Sequence, residues 1–251
     1  MLKVKINRIK LKQTITNKTL LNKINFELYP NMVYTILGKN GAGKTSLINS
    51  ILLLLNKRDY QSDCSVIFNG VDLYKISEEE LRTLRKEKIK YVFQDAQKSF
   101  DQLKNIGYYF NSLDYDNNKL DELLDFFKLP KRNKLFLLYP YELSVGMAQR
   151  ISFILALAAE PKLIILDEPT SSVDSVIANL FLIKIKEFVK KKDNSILIIT
   201  QDLLFAEKVS DEIAYLSNGS LTEFIPPEKF FSEDQSGELN ELVEFYKSIK
   251  E

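Results

Sequence analysis

Histidine is missing from the 251-residue chain, and that absence alone removes every mechanism that needs an imidazole base, proton relay or metal ligand. Cysteine occurs once, at Cys64, so the chain cannot close a disulfide on itself, a composition that fits a reducing cytosol. Charge of one sign is not in excess either. With 35 Lys and Arg against 34 Asp and Glu, nothing draws a polyanion to the surface as a whole, and no nucleic-acid partner is expected. Long apolar runs are lacking too: stretches such as Ile51 to Leu55 and Ile151 to Ala159 fall well below the ~20 residues that span a bilayer. Met1 to Ile6 alternates charged and apolar residues and carries no signal-like apolar core. The expectation is a soluble protein that meets a membrane only through a partner. There is no internal repeat and no low-complexity linker, and the length admits one large α/β domain or two small ones.

What is present reads as strands first. Lys3 to Leu11 alternates, Ile24 to Leu28 and Val33 to Leu37 follow, and all three are expected as antiparallel strands with a turn at Pro30-Asn31. An apolar helical pattern runs from Leu47 to Leu55. Ser65 to Phe68 with Asn69-Gly70 predicts a strand and tight turn, Ser77-Glu78-Glu79-Glu80 a capping box opening a helix to about Lys86, and Ile89 to Phe93 a short buried strand. From there to about Ala159 the periodicity is helical, notably in Leu120 to Leu129 and Met147 to Ala159. Leu163 to Leu166 and Ile196 to Ile199 are continuous apolar runs of the kind parallel strands show when both faces are covered, and Ser175 to about Lys191 supplies their crossover helix. A hairpin with an Asn-Gly turn at 217–220 and a charged helix over about 238–250 end the chain.

Two motifs carry chemistry. Gly38-Lys39-Asn40-Gly41-Ala42-Gly43-Lys44-Thr45-Ser46 fits G-x-x-x-x-G-K-[ST] between a strand and a helix, the setting of a phosphate-binding loop. Its backbone N–H groups and the helix N-terminus are aimed at phosphate oxygens, Lys44 reaches the β- and γ-phosphates, Thr45 offers a hydroxyl to Mg²⁺, and Ser46 bonds a phosphate oxygen. The plain alternative is a glycine-rich turn that binds nothing. Leu163 to Leu166 ends in Asp167-Glu168, and carboxylates at a buried strand end call for a cation or hydrogen bonds. The expected roles are Mg²⁺ coordination by Asp167 and polarisation of an attacking water by Glu168.

With Gln94, the stretch Leu143-Ser144-Val145-Gly146-Met147-Ala148-Gln149-Arg150 and the stretch Ser171-Ser172-Val173-Asp174, these motifs stand in the order found in ATP-binding cassette ATPases. The chain resembles the nucleotide-binding subunit of an ABC transporter over essentially its whole length. The resemblance implies an α/β P-loop NTPase core (about 1–94 and 160–251) with an antiparallel β subdomain and an inserted helical subdomain (about 95–159). It implies ATP and Mg²⁺ as ligands, Gln94 touching Mg²⁺ or the lytic water, and a head-to-tail dimer. In that dimer Ser144 and Gly146 approach the γ-phosphate held by the other subunit, while Asp174 connects the two sites. Tyr139 to Ser144 followed by Gly146-Met147 and Gln149-Arg150 is similar to the peptide and nickel importers, and Phe230-Phe231-Ser232-Glu233 resembles a remnant of that group's C-terminal segment. Implied partners are a second ATPase subunit, membrane permease subunits and, indirectly, an extracytoplasmic binding protein, with the chain at the cytoplasmic face of the membrane.

Three departures stand against the family pattern. Val145 replaces a glycine, and a β-branched residue there costs about 1–3 kcal/mol if the position needs a positive φ or close approach to phosphate. Gln201 occupies the switch-histidine position and can hydrogen-bond a γ-phosphate but cannot shuttle a proton. Leu11 stands where an aromatic ring against adenine is expected, so stacking energy is lost. Two other readings stay open: a catalytically weak or regulatory ATP-binding subunit, and a soluble non-transport ABC-type ATPase, for which the 94–143 stretch leaves little room.

Overall fold

The computed structural model describes residues 1–12, 18–232 and 237–250. Strands β1 (Leu2–Leu11), β2 (Thr19–Leu28) and β3 (Val33–Leu37) lead to helix α1 (Lys44–Ile51), then β4 (Tyr60–Phe68), β5 (Val71–Asp72), α2 (Glu78–Glu87) and β6 (Ile89–Val92). A helical stretch holds α3 (Ala96–Ser99), α4 (Ile106–Asn111), α5 (Asn117–Phe126), α6 (Arg132–Leu135) and α7 (Val145–Ala158). The chain continues with β7 (Leu163–Asp167), α8 (Ser175–Val189), β8 (Ser195–Thr200), α9 (Leu203–Val209), β9 (Glu212–Ser217), β10 (Ser220–Leu221), α10 (Pro227–Ser232) and α11 (Glu238–Lys250).

Two sheets form. The first is antiparallel, ordered β2-β1-β4-β5, and the second is ordered β10-β9-β3-β8-β7-β6 with β9, β3, β8, β7 and β6 all parallel. In β1 the alternation buries Leu2, Val4 and Ile6, and a register shift between Ile6 and Arg8 rephases the strand so that Ile9 is buried as well. β3 departs from expectation: it lies parallel between β8 and β9 in the second sheet and is not paired with β2. The reason is visible in its residues. All five are buried, so β3 lacks the polar face of a hairpin strand, and the turn after Pro30 crosses between sheets.

The second sheet is covered on both faces. Ile164, Leu166, Ile196 and Ile198 pack into the cluster shared with α7 and α8, and Ile36, Ile165, Leu197 and Ile199 into the cluster shared with β1, β2 and α1. The helical stretch joins the first cluster through three rings: Phe153 on α7 stacks on Phe181 of α8 at 4.8 Å, and Phe127 meets Phe181 edge-on at 5.4 Å. Helix α1 stops earlier than its apolar pattern suggests, because Leu53 takes a left-handed φ of 53° and Leu52 and Leu53 turn onto the core. The terminal hairpin is short, with β10 contributing two residues and Ile225 bridging Ile213 further on. Phe231 stacks on Tyr246 at 4.0 Å to dock α11; Glu233, part of the C-terminal resemblance, lies outside the described residues.

Phe181 is fully buried between two other rings, so Phe181→Ala is expected to lower stability by about 3–5 kcal/mol in urea unfolding of the full chain.

Candidate functional site

The site gathers at the carboxyl ends of β3, β7 and β8, where a parallel sheet leaves strand ends side by side. Leu37, the last residue of β3, is level with Thr200 of β8, and Asp167 of β7 is level with Ile199. The loop from Gly38 to Gly43 leaves β3 and enters α1. Gly43 is the N-cap at φ 105°, and a Cβ there would stand 2.9 Å from Leu21 Cδ2 on β2, so only glycine lets the loop pass this close to the first sheet. No side chain caps α1, whereas α2, α5, α7, α8 and α9 are capped by Ser77, Asp116, Ser144, Asp174 and Asp202. The amide donors of the first turn of α1 therefore keep their capacity for an anion, with the helix dipole behind them. Lys39, Asn40, Gly41 and Thr45 are exposed, Ala42 and Ser46 half-buried, and the Lys39 ammonium lies 3.5 Å from Glu241 on α11.

Lys44 and Glu168 form the centre. Their side chains are 8% and 5% exposed, the ammonium lies 2.9 Å from Glu168 Oε1, and it also donates to the Gly38 carbonyl at 2.7 Å. Glu168 Oε2 accepts from the Thr200 hydroxyl at 2.9 Å and from the Gln201 backbone N–H at 3.2 Å. Glu168 itself holds a left-handed φ of 47°, an uncommon conformation for a non-glycine residue, pinned by its N–H donating to the Ile199 carbonyl at 2.8 Å. Asp167 is buried beside it. Burial pushes its carboxyl above the ordinary aspartate range, and the Tyr91 hydroxyl, donating to Oδ2 at 2.9 Å, pulls the other way.

Lys44, Asp167 and Glu168 are thus brought together. Gln94 lies exposed just beyond β6, and Gln201 is exposed with its backbone N–H, rather than its amide, on Glu168. Leu11 ends β1 half-buried opposite Tyr60. Ser144, Gly146 and Asp174 sit together on another part of the surface: Ser144 caps α7 by accepting from the Met147 N–H at 3.2 Å, and a Cβ on Gly146 would be 3.0 Å from the Ser172 carbonyl. Asp174 caps α8 by accepting from the Ile177 N–H at 2.9 Å. Val145 is the first residue of α7, has no positive φ and is 44% exposed, so the backbone strain expected of a β-branched residue there is not found. The sequence reading missed Tyr91 and Thr200. Thr200 was accessible to it, as a polar residue closing an apolar run at the same sheet edge as Asp167; nothing in spacing marks Tyr91.

The family profile described as ABC transporter matches residues 21–171. The chain is 32% identical over 210 residues to the oligopeptide transport ATP-binding protein OppD of Bacillus subtilis (strain 168), covering 80% of this chain and 59% of that protein. It is 30% identical over 227 residues to the metal-staphylopine import system ATP-binding protein CntD of Staphylococcus aureus (strain NCTC 8325 / PS 47), covering 87% and 83%. The chain therefore spans about three fifths of the oligopeptide relative's length. Among solved structures, the ATP-binding cassette MJ0796, dimeric in a post-hydrolysis state bound to ADP and Pi, superposes with a TM-score of 0.76 at 22% identity over 90% of this chain and 99% of that one. The cbiO1 structure from Clostridium perfringens superposes at 0.72 and 23% identity, over 93% and 91%. At these identities the structures speak for the fold.

Removing one partner of the buried pair leaves a charge without compensation. Lys44→Ala is expected to destabilise the nucleotide-free chain by about 3–5 kcal/mol in urea unfolding, and adding Glu168→Gln is expected to restore most of that loss.

Proposed function

The chain belongs to the ABC transporter family, and on that footing we propose that it is an ATP-binding and ATP-hydrolysing subunit of a membrane importer. The cargo class is peptides, nickel or a related metal complex; the names of the two relatives support peptides and a metal complex. The observation that carries the reading is the Lys44–Glu168 pair beneath an uncapped helix N-terminus, with Asp167 alongside. The triphosphate is gripped by the amides of 38–46 and by Lys44. When phosphate oxygens draw the Lys44 ammonium away from Glu168 Oε1, that oxygen becomes free to accept a proton from the attacking water. Oε2 meanwhile stays fixed by Thr200 and the Gln201 N–H. Nucleotide binding and activation of the base are then one event.

Mg²⁺ fits the donors present. Among the described residues no group of three acidic or other ligating side chains could cage an ion, so a cation that arrives with the phosphates suits the Asp167 carboxylate and the Thr45 hydroxyl, with Gln94 within its loop. When bound, it supplies charge neutralisation on the β- and γ-phosphates.

No described helix is long and apolar enough to cross a membrane, so attachment at the cytoplasmic face runs through permease subunits, with a binding protein acting on their far side. Domain roles follow: 1–94 and 160–251 form the ATP core and 95–159 the helical subdomain carrying Ser144 and Gly146, which reach the partner's γ-phosphate with Asp174 between the sites. In a head-to-tail dimer Gln201 belongs to the site on this chain's own phosphate loop and Val145 to the partner's. A homodimer holds both departures in both sites, which favours a different ATPase as partner. The exposed Val145 at the start of α7 also favours a second reading, a weakly hydrolysing regulatory subunit, because a β-branched residue stands at the helix start that the resemblance sets against the partner's γ-phosphate.

Glu168→Gln in the assembled complex is expected to lower ATP turnover by about 10²–10⁴-fold while nucleotide binding persists; unchanged turnover moves the working site to the partner chain. Isolation of the native complex is expected to recover this ATPase with a second, different one; two copies of this chain alone refute the heterodimer. Val145→Gly with Gln201→His is expected to raise turnover under the regulatory reading and to leave it within about twofold otherwise.

A further inference from the structure

Tyr91 lies on β6, the strand next to β7, directly opposite Ile165, and its phenol reaches two residues onward to the carboxylate that ends β7. Its hydroxyl donates to Asp167 Oδ2 at 2.9 Å. Among the described residues no hydrogen bond reaches Oδ1. The ring packs against Phe93 at 4.1 Å, and Phe93, 42% exposed, immediately precedes Gln94. A phenol is protonated at physiological pH and a carboxylate only accepts, so the Tyr91 hydroxyl is the donor in this bond. A lone hydrogen bond to one carboxylate oxygen from a neighbouring strand is what sets the rotation of a short side chain such as aspartate.

We propose that Tyr91 is a positioning residue for the cation: by holding Oδ2 it presents Oδ1 of Asp167 to the metal, and through its contact with Phe93 it ties that presentation to the exposed segment bearing Gln94. The proposal rests on the reading of Asp167 as the metal-facing carboxylate. A ligating carboxylate held by an outer partner loses about 10–100-fold in metal affinity when the partner is removed.

The test is Tyr91→Phe in the full chain, which keeps the ring against Phe93 and deletes only the hydroxyl. Binding of a fluorescent ATP analogue is titrated with Mg²⁺, with Asp167→Asn as the reference. The expected result is a rise of about tenfold in the Mg²⁺ concentration that half-saturates the metal-dependent affinity, with metal-free nucleotide binding unchanged. A merely structural role for Tyr91 would lower the melting temperature and leave the Mg²⁺ requirement alone. An unchanged requirement in Tyr91→Phe, while Asp167→Asn loses its Mg²⁺ response, overturns the proposal and spares the site. A full Mg²⁺ response in Asp167→Asn removes the metal role of Asp167 and the proposal with it.

Discussion

The contact on which the site depends is the buried ion pair between Lys44 and Glu168. Taking two charges out of water costs several kcal/mol per ion, and attraction offsets that only when the remaining polar atoms also find partners. Here the Gly38 carbonyl takes one ammonium hydrogen, and Thr200 with the Gln201 N–H satisfies the far carboxylate oxygen. Each of those partners comes from a strand end of one parallel sheet. That sheet is packed between two cores, which explains why the ends keep register: a slip of one residue in β8 would turn Ile196 and Ile198 from one core toward the other and carry Thr200 off Glu168. The left-handed Glu168 is maintained by the same arrangement, since its N–H is committed to Ile199.

The helical stretch from 95 to 159 matters to the site through its last helix. α7 starts with Ser144 and Val145 beside the 171–174 segment and runs down to the ring cluster of Phe153, Phe181 and Phe127. One helix therefore connects the exposed segment at Ser144 and Val145 to the apolar core under β7 and β8. A Cβ on Gly146 would press on the Ser172 carbonyl at 3.0 Å, so the start of α7 runs close against the segment that leads into α8.

Much of this was legible in the sequence because it depends on pattern. Continuous apolar runs mark β7 and β8, the Ser77 capping box marks α2, and the glycine spacing marks the phosphate loop. What misled was local. Val33 to Leu37 follows two antiparallel strands after a short turn, and only its lack of any polar residue facing out reveals a strand covered on both sides. Leu52 to Leu55 carries on the apolar pattern of α1, yet the chain turns at Leu53, which sets Leu52, Leu53 and Leu55 on the core and leaves Leu54 exposed. Val145 shows the limit of reading strain from residue type, since its cost depended on a backbone conformation that the helix does not impose. Tyr91 could not be found at all, because its partner lies 76 residues away and the two meet only once β6 and β7 pair.

The absence of histidine gains meaning from this geometry. The residue at 201 touches Glu168 through its backbone N–H, a contact that any residue except proline supplies, so the orientation of the Glu168 carboxylate does not depend on what side chain stands there. Gln201 is exposed, and among the described residues its side-chain amide makes no hydrogen bond. A change of side chain at this position thus leaves the framework around Lys44 and Glu168 as it was. The site is held without a histidine because Glu168 is fixed by the Lys44 ammonium, the Thr200 hydroxyl and a backbone N–H.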